Sequence, residues 1–239
     1  VVWIDHHQIE KEKIPGYVNY YNPLFNRTKK NEPVTALCYQ VTQKEEDMWL
    51  ALIGCVSDRY LPKFYGKFKK SYPELVPRGR RIFDIVYKSQ IGRVVRIFGA
   101  GLKDSTTNVI NMLRFLVQAK GPYDALEENS KNHGMHRRFE QIDSKYQKLL
   151  LKALQIAKRA GKLVFFQYSG DLSISAELAN ELNYMFPKKM VVVAYTREGR
   201  TNLSMRGEKA REFFLESIVG LEDAAGGGHE FAIGARMRT

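Results

Sequence analysis

The segment Met190 to Tyr195, Met-Val-Val-Val-Ala-Tyr, constrains the fold more than any other stretch of the chain. A strand that meets water on one face alternates apolar and polar residues, whereas a nearly continuous apolar run belongs to a strand covered on both faces. Helices must therefore pack on this strand, and the neighbouring sequence provides them. Leu163 to Tyr168 reads as another strand. Ser173-Ile174-Ser175-Ala176-Glu177 has the serine and acidic spacing of a capping box and opens a helix to about Met185, ahead of Pro187. Glu198-Gly199-Arg200 turns the chain back through Thr201 to Gly207, a helix follows from Glu208 to about Ile218, and Gly226-Gly227-Gly228 reads as a glycine turn. The alternation of strand and helix predicts an α/β layer.

At the other end of the chain, Val1-Val2-Trp3-Ile4 is a short apolar strand that runs straight into Asp5-His6-His7. Open α/β sheets hold their ligands at the carboxyl ends of strands, so one carboxylate and two imidazoles there suit a site. They equally suit a surface turn with two solvated histidines. Ile14-Pro15-Gly16 turns into a short strand that Asn22-Pro23 breaks, and a charged loop from Asn26 to Asn31 precedes Glu32-Pro33. Pro33 is well placed for a helix start, with apolar residues at 34, 37, 38 and 41 on one face. A second helix, from Glu45 to about Val56, closes on Asp58. Gly92 to Ala100 reads as an interrupted helix, Asn108 to Lys120 as a helix started by Asp104-Ser105-Thr106-Thr107, and Phe139 to Ala160 as a long helix ended by Gly161. These signals predict a domain over 1–135, a connecting helix over 136–161 and a smaller α/β domain over 162–239.

Charge bears on function. Lys and Arg number 38 against 26 Asp and Glu, a net charge of +12, which favours phosphate-bearing partners and above all nucleic acid. Between Arg59 and Lys88 the aromatic residues Tyr60, Phe64, Tyr65, Phe68 and Tyr72 interleave with lysines and arginines. Such a stretch can stack on unpaired bases, or fold its rings inward and leave its cations in water. His133 and His136 could neighbour one another on a helix, but no carboxylate or cysteine completes a ligand pattern, so they read as surface histidines. Cys38 and Cys55, both in apolar helical patterns, read as buried thiols in a reducing, cytoplasmic setting. No apolar run approaches the ~18 residues of a membrane helix.

Asp5-His6-His7 after a strand, Ala51 to Ser57 closing on Asp58, and Gly226-Gly227-Gly228-His229 followed by small residues occur here in that order. With all three, the chain resembles the DHH phosphoesterase superfamily, which includes RecJ-type exonucleases, nanoRNase and phosphoadenosine phosphatases, and manganese-dependent pyrophosphatases. The resemblance implies the C-terminal part of a parallel-sheet DHH domain, joined by a helix to a smaller α/β DHH-associated domain. It implies metal-dependent phosphodiester hydrolysis with two manganese or magnesium ions, with His6 and Asp58 as ligands, Asp5 in or just behind the ligand shell and His7 facing the scissile phosphate. Ser204, Arg206, Gly226, Gly227, Gly228 and His229 would hold substrate phosphate across a cleft. The implied activity is that of an exonuclease on single-stranded DNA or RNA. A nanoRNase or 3′-phosphoadenosine-5′-phosphate phosphatase, and a non-catalytic scaffold that binds replication proteins, are the alternatives. The superfamily carries two further aspartate motifs upstream of the DHH strand. The resemblance therefore implies that this sequence is cut from a longer protein or is one of two separated parts, and that it is inactive alone.

Overall fold

The structure, a computed structural model, describes residues 1–7, 9, 11–27, 31–220 and 223–238. The chain divides into two compact units, Val1–Phe139 and Glu140–Thr239.

In the first unit β1 (Val2–Ile4) pairs in parallel with β2 (Asn19–Tyr21), with Trp3 opposite Tyr20. A one-turn 3-10 helix, Pro23–Phe25, follows, capped by the side chain of Asn22. Helices then account for most of the unit: α1 (Val34–Thr42), α2 (Met48–Ser57), α3 (Tyr65–Ser71), α4 (Ile82–Lys88), α5 (Gln90–Gly101), α6 (Thr106–Gln118), α7 (Pro122–Leu126) and the start of α8 (His133–Arg159). α2 buries Met48, Trp49, Ala51, Leu52, Ile53, Cys55 and Val56. A helix apolar on nearly all sides belongs in the middle of a unit, and α1, α4 and α5 pack on it.

Several expectations from sequence need correction here. α1 buries Ala36 and Leu37, while Cys38 is exposed and Val41 lies 76% exposed, because α2 covers a face shifted from the one that apolarity marked. α5 is continuous rather than interrupted. Gly92 lies where a Cβ would come within 2.2 Å of the Val86 carbonyl oxygen, so this glycine serves close packing, and Ser89 caps the helix by accepting from the Gly92 N–H. His136 is a core residue, its Nε2 3.0 Å from the Ala125 carbonyl oxygen, whereas His133 is exposed. Between 59 and 88 the reading with rings folded inward holds for Tyr65 and Phe68, which are buried, while Tyr60, Phe64 and Tyr72 are half-buried; Arg80 stacks over Tyr65, and Arg59 lies 5.8 Å from both Phe83 and Tyr87. Buried rings of this kind cannot stack on bases.

The second unit is built on one five-stranded sheet. Its strands are β3 (Leu163–Ser169), β4 (Met190–Arg197), β5 (Arg200–Arg206), β6 (Ala225–His229) and β7 (Ala232–Arg238), in the order β3-β4-β5-β7-β6. Only β3 and β4 are parallel, joined through α9 (Ser175–Met185); the other pairs are antiparallel. β4 is buried from Val191 to Tyr195, as its continuous apolarity requires. On one face Val191, Val193 and Tyr195 join Tyr146, Leu150, Ala153 and Ala157 of α8 and Leu178 and Leu182 of α9. On the other, Val192, Met205 and Ile233 meet Ala210 and Phe214 of α10 (Ala210–Ser217). No capping box forms at α9. Ile174 occupies the cap, and the Ser175 hydroxyl is buried against Ser204 instead. The triple glycine, read from sequence as a turn, is the edge strand β6, and Glu230-Phe231 makes the turn. Among the described residues no helix is long and apolar enough to cross a membrane.

Candidate active site

The parallel ladder of β1 and β2 extends one bond past Ile4, because the Asp5 N–H donates to the Tyr21 carbonyl at 3.0 Å. Asp5 is thereby fixed at the carboxyl end of the strand pair. Its Oδ1 accepts from the His6 N–H at 2.7 Å, the His7 N–H at 3.2 Å and His7 Nδ1 at 2.8 Å. An aspartate that binds the backbone after it bends the chain locally, which lets β1 end in a turn that presents two imidazoles. Burial works to raise the Asp5 pKa, but the hydrogen bonds from the His7 ring and from the His7 and His6 N–H groups outweigh it and hold the carboxyl below its ordinary value. With Nδ1 donating to a carboxylate, the neutral His7 ring keeps its lone pair on Nε2. Likewise His6 Nδ1 lies 3.1 Å from Asn31 Oδ1, an acceptor only, which leaves His6 Nε2 to act as a ligand. The two rings lie 4.4 Å apart between centroids.

Asp58 follows α2 as its C-terminal cap, its N–H bound to the Gly54 carbonyl, and its carboxylate is exposed. Nearby, burial first and the negative charges of Asp58 and Glu32 second push the Cys55 thiol up to about 11. Tyr60 is raised by burial and by Glu32, whose carboxylate accepts its hydroxyl at 3.3 Å. Among the described residues no group of three or more His, Cys, Asp and Glu side chains is arranged to hold a metal ion, so Asp58 does not join Asp5, His6 and His7 in such a group. Two outward imidazole nitrogens and a carboxylate already engaged by N–H groups do not make a two-ion centre. Hard divalent ions require more oxygen donors than these.

In the second unit, strand register decides where the remaining candidates stand. Val191 is opposite Arg206 and Val193 opposite Ser204; Ser204 is in turn opposite Gly234, and Gly234 opposite Gly227. Ser204, Arg206, Gly227 and the backbone position of His229 therefore share the face covered by α9 at the β4 and β5 end. Only the backbone of His229 is described. Ser204 is buried, its hydroxyl 2.9 Å from that of Ser175. Arg206 donates from Nε to Asn180 Oδ1 at 2.6 Å, and from Nη1 to the Met205 and Ile233 carbonyls at 2.8 and 2.9 Å. Its guanidinium is held by the strands and by α9. Gly226 and Gly228 belong to the opposite face. A Cβ on Gly226 would come within 2.7 Å of Phe214 Cζ, and one on Gly228 within 2.2 Å of the Ala232 carbonyl oxygen, whereas one on Gly227 would meet nothing within 4 Å. Of the three glycines, Gly227 alone leaves open space above the sheet.

No family model and no curated protein matches this sequence. Solved structures do. A RecJ in complex with Mn2+ from Thermus thermophilus superposes with a TM-score of 0.63 at 16% identity, covering 99% of this chain and 38% of that one. The chain has a RecJ-like fold. An exonuclease RecJ bound to manganese matches with a TM-score of 0.55 at 15% identity, covering 99% of this chain and 64% of that one. A RecJ in complex with Mg2+, also from Thermus thermophilus, gives 0.53 at 14%, covering 83% and 33%. The chain thus spans between about one third and two thirds of the length of the RecJ structures it resembles.

Within this RecJ-like fold, the sequence left several supporting residues unmarked. Asn22, 2% exposed, donates from Nδ2 to the His7 carbonyl and to the Tyr20 hydroxyl, each at 2.8 Å, while its Oδ1 accepts from the Leu24 N–H. Tyr20 in turn reaches Asp5 Oδ2 at 3.4 Å. An asparagine before a proline signals a chain break, and that signal hid its second role. Asn180, which holds Arg206, gives no local signal at all.

Proposed function

We propose that this chain carries part of a divalent-metal-dependent phosphoesterase that removes nucleotides from an end of single-stranded DNA or RNA. The Asp5-His6-His7 turn at the carboxyl end of a parallel strand pair, within a RecJ-like fold, carries this reading. The net charge of +12 supports a polyanionic substrate. His6 would offer Nε2 and Asp58 its carboxylate to manganese or magnesium, and Asp5 would hold His7 toward the scissile phosphate. The described residues supply only part of a ligand set, so further oxygen donors must complete it. A divalent ion at such a centre lowers the pKa of bound water and offsets phosphate charge. In the second unit, Arg206 and the open backbone at Gly227 would hold the substrate phosphate, with Ser204 buttressing β5 from beneath. A glycine in a strand often marks the close approach of a ligand.

The test incubates the full-length protein with manganese or magnesium and, in parallel, a labelled single strand of DNA or RNA, a dinucleotide and 3′-phosphoadenosine-5′-phosphate. Release of nucleotides from the long strand supports the proposal, and the His6→Ala variant should lose at least a hundredfold in rate while keeping its melting temperature. Turnover of the two short substrates alone would replace the proposal with the nanoRNase or phosphatase reading. Binding without turnover of any substrate would leave a scaffold.

A further inference from the structure

The face of the sheet shared by Ser204 and Arg206 continues past the helices that cover it. Arg200 is opposite Arg238, Asn202 is opposite Arg236, and Arg236 is opposite Ala225. Side chains two apart on a strand point the same way, so these arginines stand in one row on the face that carries Gly227 and Gly234. α9 covers β4 and β5, but on β7 and β6 the residues Gly234, Arg236, Arg238, Ala225 and Gly227 of this face all reach solvent. Neither Gly227 nor Gly234 has any atom within 4 Å of where a Cβ would lie. The result is an uncovered floor of glycine and alanine with three guanidinium groups at one end, where Arg200, Arg236 and Arg238 line a concavity of about 420 Å³ together with Asp223, Ala225 and Met237. Among the described residues Asp223 is the acid that meets the row, 3.5 Å from Arg238 Nη1 with both side chains exposed, an arrangement that contributes little. Among the described residues Arg200 and Arg236 pair with no carboxylate.

This placement has no structural explanation in the unit's own core, since none of the three arginines packs beneath α9 or α10. Three guanidinium forks on a smooth sheet suit phosphate groups, each of which an arginine can grip with two parallel N–H bonds. The row stands at the opposite end of β5 from Arg206, about 20 Å away at the usual rise per strand residue. At the ~3.4 Å axial spacing of phosphates in a stacked strand that distance is about six nucleotides, and fewer if the strand is stretched. We infer that Arg200, Arg236 and Arg238 form a second phosphate-binding site, which takes the backbone of a single-stranded oligonucleotide several nucleotides away from the end held at Arg206. A dinucleotide or a mononucleotide is too short to reach both places. The inference rests on the nuclease reading and adds to it a requirement for substrate length.

The test compares wild-type full-length protein with the triple variant Arg200→Gln, Arg236→Gln, Arg238→Gln. Affinity for a fluorescent single strand of about a dozen nucleotides is measured across a salt series without divalent ions, so that nothing is cleaved, and a labelled dinucleotide serves as the reference. The variant should bind the longer strand at least tenfold more weakly at low salt, and the slope of log affinity against log salt should fall by about two, near 0.7 for each phosphate no longer neutralised. The ratio of affinities for long and short substrates should collapse toward one. An unchanged slope and an unchanged ratio in a variant that melts like wild type would overturn the site. If wild type binds the strand through these arginines yet hydrolyses none of the substrates named above, the nuclease reading falls and the site stands.

Discussion

Asn22 ties together three things that the Asp5-His6-His7 turn needs: the His7 carbonyl, the Tyr20 hydroxyl that reaches Asp5, and the start of the helix at Pro23. Removing a buried side chain that satisfies several backbone and side-chain groups leaves each of them unpaired, at about 1 to 3 kcal/mol for each one that water does not reach. Asn22→Ala should therefore lower stability by roughly that amount per such group in denaturant titration and reduce turnover with it. Asn22→Asp, which keeps the acceptor for Leu24 but loses both donated bonds, should recover part of the stability and little of the turnover. Equal activity in all three proteins would show that the turn holds itself. The two thiols offer a second test at this scale. Burial pushes Cys55 up to about 11 against an ordinary 9.0, while Cys38 is exposed. A thiol reagent at neutral pH should modify Cys38 quickly and Cys55 only after unfolding. The sign of the pH effect follows from the same shift. Above pH 9 the unfolded chain loses the Cys55 proton first, so this group's contribution to stability falls as pH rises from about 9 to about 11. A Cys55→Ala variant whose stability falls just as steeply over that window would refute this source.

At the scale of elements, the sequence was most legible where local pattern and tertiary environment agree. β4 needed only its apolar run, and the break at Asn22-Pro23 and the start of α6 at Ser105 needed only their cap residues. The site turn was legible as residue types at a strand's end, but its geometry was not, because Asn31 and Asn22 reach it from elsewhere in the chain. β6 failed for a physical reason. Glycine carries a turn signal by itself, and only pairing with β7 makes Gly226 to Gly228 extended. His136 and α5 failed likewise, since a carbonyl from α7 and the close approach of α4 are tertiary facts. β6 gives a prediction in turn. Gly228→Ala must place a Cβ against the Ala232 carbonyl at a φ of +151°, and should cost on the order of 1 to 3 kcal/mol. Gly226→Ala must displace Phe214 or Ala235 and should also lower the melting temperature. Gly227→Ala meets open space, so its melting temperature should stay near wild type while its affinity for a single strand falls. If all three variants melt alike, β6 does not pack against β7 and α10 in this way.

For the whole molecule, the separation into two units raises the question of what each needs in order to fold. The sheet of the second unit has a hydrophobic cluster on each face, and the one beneath α9 contains Tyr146, Leu150, Ala153 and Ala157 from the later part of α8. Val164, Phe166, Val191 and Val193 are buried against these residues, so a sheet deprived of α8 would expose one whole apolar face to water. Each fully buried aliphatic or aromatic side chain stabilises by about 1.5 to 3 kcal/mol, and losing cover over several of them is comparable to the roughly 5 to 15 kcal/mol that typical domains possess. Lys189 adds a polar link, donating from Nζ to the carbonyls of Ala157 and Ala160 at 2.7 Å and so closing the C-terminal end of α8. A fragment of residues 140–239 should therefore fold cooperatively, giving dispersed amide resonances and a single melting transition. A fragment of residues 162–239, which keeps every strand of this sheet and both α9 and α10 but lacks α8, should be unfolded or aggregated. The longer fragment should still bind a single strand through Arg200, Arg236 and Arg238, with a salt slope reduced by their replacement. A well-folded shorter fragment would show that α8 is only a connection between units and not a layer of the second one.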